Sequence, residues 1–264
     1  MSKRILITGA ATGLGRGAAI GLAKRGHRVI AGVEIWPQAT TLRKDAEAAG
    51  VELEILKIDL TDPSDWETAQ SYDLDILVNN AATGETGPIA EIPVERVRRV
   101  FDVNVFGTLE FTQPFVRKFV ERGRGKVVFV SSIVGFSTFP FLAPYCASKH
   151  ALEAIVQLMR EELEETGVQI CTINPGPFST GFNHRMYDTL DQWYDPQRNF
   201  TAESPIREIQ EKFKGDDLEF DPQLMIDRMV EVIPEEHHDF RTVCPDEVIQ
   251  GCKDYQAKLW DLTI

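Results

Sequence analysis

Long apolar runs are missing: no stretch of the 264 residues approaches the roughly 18 consecutive apolar positions that a membrane-spanning helix needs. An apolar strand starts by Ile5, which leaves no room for a secretory leader, so the expected location is the cytoplasm. Basic residues are in deficit, with 28 Lys and Arg against 41 Asp and Glu. The resulting charge of −13 removes the positive surface that binding to nucleic acid or an anionic membrane requires, and neither partner is expected. The same acidity aids solubility and says little about small substrates. Only four cysteines occur, and Cys146, Cys171, Cys244 and Cys252 lack metal-ligand spacing, which fits reduced, mostly buried thiols. His237 and His238 are adjacent, so their side chains diverge, and no third ligand accompanies them; no metal site is expected. Repeats and low-complexity linkers are absent as well, and residues 1–264 read as one domain.

What is present is a regular alternation. Apolar runs near 3–8, 28–33, 52–58, 74–78, 126–131, 168–173 and 239–244 are separated by helical patterns, which predicts an α/β fold: a Rossmann-like, doubly wound parallel sheet flanked by helices. After the first run comes Thr8-Gly9-Ala10-Ala11-Thr12-Gly13-Leu14-Gly15, and after that an amphipathic pattern ending near Gly26. A strand, a glycine-rich turn and a helix start together present backbone amides to a pyrophosphate. Gly9 suits the tight turn, Gly13 the close approach of backbone to phosphate, and Gly15 the packing of helix on strand.

A second phrase, Tyr145-Cys146-Ala147-Ser148-Lys149, puts Tyr145 and Lys149 on one face of a helix predicted to run to about Thr166. An ammonium there lowers the cost of a phenolate, which brings tyrosine, ordinarily titrating near pH 10, toward the range of a general base. Lys126-Val127-Val128-Phe129-Val130-Ser131-Ser132 supplies a strand ending in hydroxyls before Tyr145. Two further strands end in Asn79-Asn80-Ala81-Ala82 and in Asn174-Pro175-Gly176-Pro177. Open parallel sheets bind ligands beyond such carboxyl ends.

In order and spacing, residues 3–180 resemble the short-chain dehydrogenase/reductase family. The resemblance implies Gly9, Gly13 and Gly15 at the pyrophosphate with Leu14 beside them, Asp59 at the adenine, and Asn80 by the adenosine ribose. It also implies a catalytic set of Asn104, Ser132, Tyr145 and Lys149, with Pro175, Gly176 and Thr180 near the nicotinamide. Asn104 would anchor a water that relays protons from Lys149, and Lys149 would also hold the nicotinamide ribose. The implied reaction is hydride transfer between NAD or NADP and a small-molecule secondary alcohol or ketone. Two features depart from the pattern: Ala82 stands where the family usually has glycine, and the glycine-rich C-terminal strand of many members is lacking. Retention of the glycine loop and the whole catalytic set favours redox chemistry over a nonredox enzyme, or a silent cofactor-binding regulatory protein, on the same scaffold. Dehalogenases that resemble the family typically lose the loop and replace the lysine.

Glu34, 19 residues after Gly15, is placed to accept ribose hydroxyls and repel a 2′-phosphate, so NAD is the expected cofactor, with NADP left open. Val33 holds the position where NAD-using relatives usually place aspartate, and Thr12 replaces the basic residue often found in NADP-using ones. Residues 177–221 break the strand–helix rhythm with aromatics, acids and prolines, and read as a partly helical substrate lid in preference to a packing insertion. Phe139 and Phe182 are candidates for an apolar or aromatic substrate pocket, and His184 and Arg185 for contact with a polar or anionic group. Helices from about Val94 to Glu121 and after Tyr145 carry apolar residues on more than one side, which the resemblance explains by pairing across a twofold axis in a homodimer or homotetramer.

Overall fold

A computed structural model describes residues 1–214 and 219–263. In chain order the main elements are β1 (Arg4–Ile7), α1 (Gly13–Lys24), β2 (Arg28–Val33), α2 (Trp36–Ala48), β3 (Glu54–Lys57), α3 (Trp66–Ser71), β4 (Ile76–Asn79), α4 (Val94–Phe101), α5 (Thr108–Glu121), β5 (Gly125–Val130), α6 (Ala143–Glu162), β6 (Val168–Pro175), α7 (Phe182–Tyr187), α8 (Glu203–Lys214), α9 (Pro222–Val232), β7 (Arg241–Cys244) and α10 (Val248–Leu259). The seven strands form one sheet in the order β3-β2-β1-β4-β5-β6-β7, and every pairing is parallel.

Alternation along each strand divides the core in two. Ile5, Ile7, Val29, Ala31, Val128 and Ile173 face one side, where Ala18 and Leu22 of α1, Leu42 of α2 and Met225 and Met229 of α9 cover them. Leu6, Ile30, Val127, Phe129 and Ile170 face the other, under Phe111, Phe115 and Phe119 of α5 and Leu152 and Val156 of α6. Covering both faces is why these strands read as unbroken apolar runs rather than alternating ones. The two edge strands are shorter than their runs predict. β3 keeps only the residues that pair with Ile30–Val33 of β2, and β7 only those that pair with Thr172–Pro175 of β6.

The helix predicted over 94–121 is present, but a six-residue π turn, Asp102–Gly107, separates α4 from α5. The described residues of 177–221 are partly helical, as the sequence predicts: α7, a 3₁₀ turn at Asp188–Gln192 and α8 occupy much of the stretch, and Phe178 pairs with Phe220 where the chain returns. Residues 215–218 of that stretch lie outside the described residues. Among the described residues no helix is long and apolar enough to cross a membrane.

Lys126 opens β5 with an ammonium buried in the core. It donates to the carbonyls of Val232 and Ile233, each at 3.0 Å, and of Glu235 at 2.8 Å, which satisfies carbonyls at the end of α9. His238 Nε2 lies 2.6 Å from Lys126 Nζ, and Nδ1 lies 2.6 Å from the Asp239 carbonyl. The ring therefore accepts at Nε2 and donates at Nδ1, which requires the neutral form. Burial and then the Lys126 charge push the His238 pKa down, while Asp239 and Glu235 oppose them. The stabilisation is complete above the ordinary histidine pKa of about 6.5 and is lost as pH falls through it toward the lower folded-state value. Thermal melts of wild type and His238→Gln check this: wild type should lose more stability between pH 7 and pH 5.5, and equal losses would exclude His238 as the cause.

Candidate active site

The sheet reverses strand order at β1, whose neighbours are β2 and β4, and a cavity of about 800 Å³ opens there beyond the carboxyl ends of the strands. One end is lined by Glu34, Gln38, Asp59 and Thr61, the middle by Gly9, Gly13, Leu14, Gly15 and Asn80, and the far end by Ser132, Tyr145, Lys149, Pro175, Gly176 and Thr180. Every cofactor position and three of the four catalytic positions read from the sequence thus line one space.

The middle is a tight backbone cradle. Gly9 has φ +64°, and a Cβ there would lie 2.7 Å from Ala81 Cα, so the site demands glycine on both conformational and steric grounds. A Cβ on Gly15 would approach Gly9 O to 2.5 Å. Thr8 Oγ1 accepts from the amides of Asn80 and Ala81, each at 3.0 Å, and Asn80 Nδ2 donates to the carbonyls of Thr8 (2.9 Å) and Gly9 (3.0 Å). Asn80 therefore locks the β1 and β4 loops together. The first turn of α1 begins in this cradle, and a helix N-terminus that no side chain caps by a hydrogen bond suits a phosphate.

At the far end, α6 presents Tyr145 and Lys149 one turn apart, with Lys149 Nζ 5.7 Å from the tyrosine ring centroid. Lys149 is buried and donates to the Val130 carbonyl at 2.9 Å. Ser132, just past β5, donates to the Pro175 carbonyl and accepts from the Val134 amide, both at 3.3 Å. Burial pulls the Lys149 pKa down to about 8, opposed by the charge of Glu153. Burial also pushes the Tyr145 phenol well above its ordinary value, with the neighbouring Ser132 hydroxyl acting the other way. The sequence predicts the opposite direction for Tyr145, because it shows the neighbouring cation but not the cost of desolvating a phenolate.

Asn104 stands behind the cavity wall, on the π turn. Its Oδ1 accepts from the Thr83 amide at 2.8 Å, and its Nδ2 donates to the Thr83 carbonyl at 2.8 Å and to Ser148 Oγ at 2.9 Å. It braces the loop after β4 against α6, next to Lys149. Helix-widening π turns occur frequently at functional sites.

A family model of short chain dehydrogenases matches residues 3–191. The protein belongs to the short-chain dehydrogenase family. An uncharacterized oxidoreductase of Myxococcus xanthus is 41% identical over 180 residues, which are 66% of this chain and 71% of that protein. A diacetyl reductase of Staphylococcus epidermidis is 31% identical over 201 residues, 73% of this chain and 76% of that one. A short-chain dehydrogenase/reductase from Burkholderia phymatum, solved in complex with NAD, superposes with a TM-score of 0.80 at 21% identity, covering 98% of this chain and 95% of its own.

Around this short-chain dehydrogenase's Tyr145, much of the cavity wall is apolar. Phe182 stacks on Tyr145 with centroids 5.3 Å apart, and Phe139, Leu142, Met186 and Tyr187 also line the cavity. The aromatics of 177–221 divide by role. Phe182 and Tyr187 face the cavity, whereas Trp193 donates to the Thr86 carbonyl at 3.1 Å, and Tyr194 to that of Thr201 at 2.6 Å. Thr86 Oγ1 donates to the Met186 carbonyl at 2.9 Å, so the stretch is pinned to the loop after β4. Of the two polar candidates, Arg185 lines the cavity; His184 does not, and its Nε2 lies 3.9 Å from Glu219. Gln38 was not singled out in the sequence. Its Oε1 accepts from the amides of Glu34 (3.0 Å) and Ile35 (3.3 Å), and its position three residues into a helix start was the available signal.

Proposed function

We propose that this oxidoreductase interconverts a secondary alcohol and a ketone with NAD(P), on a substrate whose body is apolar or aromatic. The observation that carries the reading is convergence: Ser132, Tyr145 and Lys149 close one end of the cavity whose middle is the glycine cradle. The cradle fits a dinucleotide's pyrophosphate, Glu34 and Asp59 fit its adenosine half, and the Burkholderia relative was solved with NAD. When bound, the nicotinamide donates or accepts the hydride. Ser132 Oγ holds the substrate oxygen. Tyr145 Oη takes the hydroxyl proton of an alcohol or returns one to a ketone oxygen, and the Lys149 ammonium offsets the phenolate charge and holds the nicotinamide ribose. Asn104 anchors the proton relay from Lys149 to solvent. Following reduced-nicotinamide absorbance against a panel of secondary alcohols and ketones tests this: cofactor-dependent turnover is expected, and cofactor binding without turnover of any member would favour a regulatory role instead.

Residues 177–221 act as the substrate lid in this reading. Cofactor plus a carbonyl-site inhibitor should raise amide protection across 182–192 more than across the sheet, and equal hydrogen exchange with and without them would remove the lid assignment. Two copies pair through α5 and α6 and the π turn between α4 and α5: Phe106 is 53% exposed and Leu158 55% exposed, on helices whose other apolar faces are already buried. Light scattering should give a dimer or tetramer, and a monomer at micromolar concentration would contradict the pairing.

A further inference from the structure

One turn beyond Lys149 on α6 is a carboxylate that the sheet and helices enclose almost completely. The Glu153 side chain is 7% exposed. Its Oε1 accepts from Asn174 Nδ2 at 2.5 Å, and its Oε2 accepts from Arg241 Nε at 3.1 Å. Asn174 Nδ2 also reaches the Ser132 carbonyl at 3.3 Å, and Asn174 Oδ1 accepts from Thr172 Oγ1 at 2.8 Å. The carboxylate thus joins the helix carrying Tyr145 and Lys149 to the end of β5 carrying Ser132, with β6 and β7 supplying the donors. The space is closed around it: a Cβ on Gly135 would lie 2.7 Å from Glu153 Cγ.

Burying a carboxylate is costly, and a pair with a part-exposed arginine does not by itself recover that cost. Its placement four residues after Lys149, on the same helix face, puts its charge within electrostatic reach of the ammonium. Among the described residues, the titratable groups that bear on Lys149 are Tyr145 and Glu153 on its own helix, while β5 offers the Val130 carbonyl. Those that bear on Glu153 are Lys149 from α6 and Arg241 from β7.

We propose that Glu153 is a positioning residue for the hydride-transfer site: fixed by Asn174 and Arg241, its carboxylate keeps the charge on the Lys149 ammonium and ties the Ser132 backbone to α6. This rests on the reading that Lys149 works as an ammonium. Arg241 then sets the strength of the effect, because its guanidinium competes for the same carboxylate.

The test is the pH dependence of reduced-cofactor binding, read by fluorescence on the full chain, with thermal melts confirming folding. Wild type should lose affinity at alkaline pH as Lys149 deprotonates, and Lys149→Met should abolish that limb. A limb that survives in Lys149→Met refutes the reading of Lys149, and this proposal with it. If the limb belongs to Lys149, Glu153→Gln should move its midpoint down by about one pH unit, while Glu153→Asp, which keeps the charge, stays near wild type. Arg241→Gln should move the midpoint up, because it removes a competing positive charge. A structural role alone would damage the Glu153 and Arg241 variants in the same direction. A folded Glu153→Gln with the wild-type midpoint, or the same direction of shift in both variants, overturns the proposal. Should Glu153→Gln not fold, Arg241→Gln decides: an upward shift supports it, and no shift or a downward one refutes it.

Discussion

Replacing Tyr145 by phenylalanine should lower turnover by at least about a hundredfold, equivalent to about 2.7 kcal/mol of transition-state stabilisation, while cofactor affinity changes little. The substitution removes one oxygen and leaves the ring that stacks on Phe182. Packing is therefore retained, and what disappears is the phenol hydroxyl beside Ser132. The burial that raises the Tyr145 pKa also makes the phenol a poor base without a compensating cation, which is why the Lys149 charge matters to the same step. Steady-state kinetics with a cofactor titration by fluorescence separates the two effects. Near-normal turnover in a folded variant would remove Tyr145 from the chemistry.

The second large effect is cofactor discrimination. Specificity constants should favour NAD over NADP by at least about tenfold, since a 2′-phosphate would bring up to two negative charges toward the Glu34 carboxylate. Glu34 is exposed at the end of β2 and lines the cavity, while Gln38 fixes the backbone amides on which it sits. Arg16, in the first turn of α1, pairs with Asp45 at 3.0 Å and does not line the cavity. Glu34→Gln should narrow the ratio mainly by improving use of NADP. A wild-type preference for NADP would overturn the reading.

Much of this is legible in the sequence itself. Ile5-Leu6-Ile7 and Val127-Val128-Phe129-Val130 announce buried parallel strands because both faces of the sheet are covered. Tyr145 and Lys149 share a helix, so their spacing alone puts them together. The arrangement of Asn104 was not legible: its partners, Thr83 and Ser148, lie 21 and 44 residues away, and the π turn that carries it has no local signature. The anchoring of Trp193 to Thr86 spans 107 residues and turns an irregular-looking stretch into ordered structure. Glu153 looks like one more acid on an acidic chain until β6 and β7 bring Asn174 and Arg241 to it. Local periodicity reports which face of an element is buried. It does not report which buried polar groups find one another.

In this reading hydride passes between the nicotinamide of a cofactor whose pyrophosphate sits in the glycine cradle and a carbon held beside Tyr145. Reduced cofactor carrying deuterium at both positions of its transferring carbon, incubated with the enzyme and a ketone that it turns over, tests this by mass spectrometry of the product. One deuterium should appear at the carbinol carbon of every product molecule, with transfer suppressed in Tyr145→Phe. Product formed without deuterium, or at an undiminished rate in that variant, would contradict it.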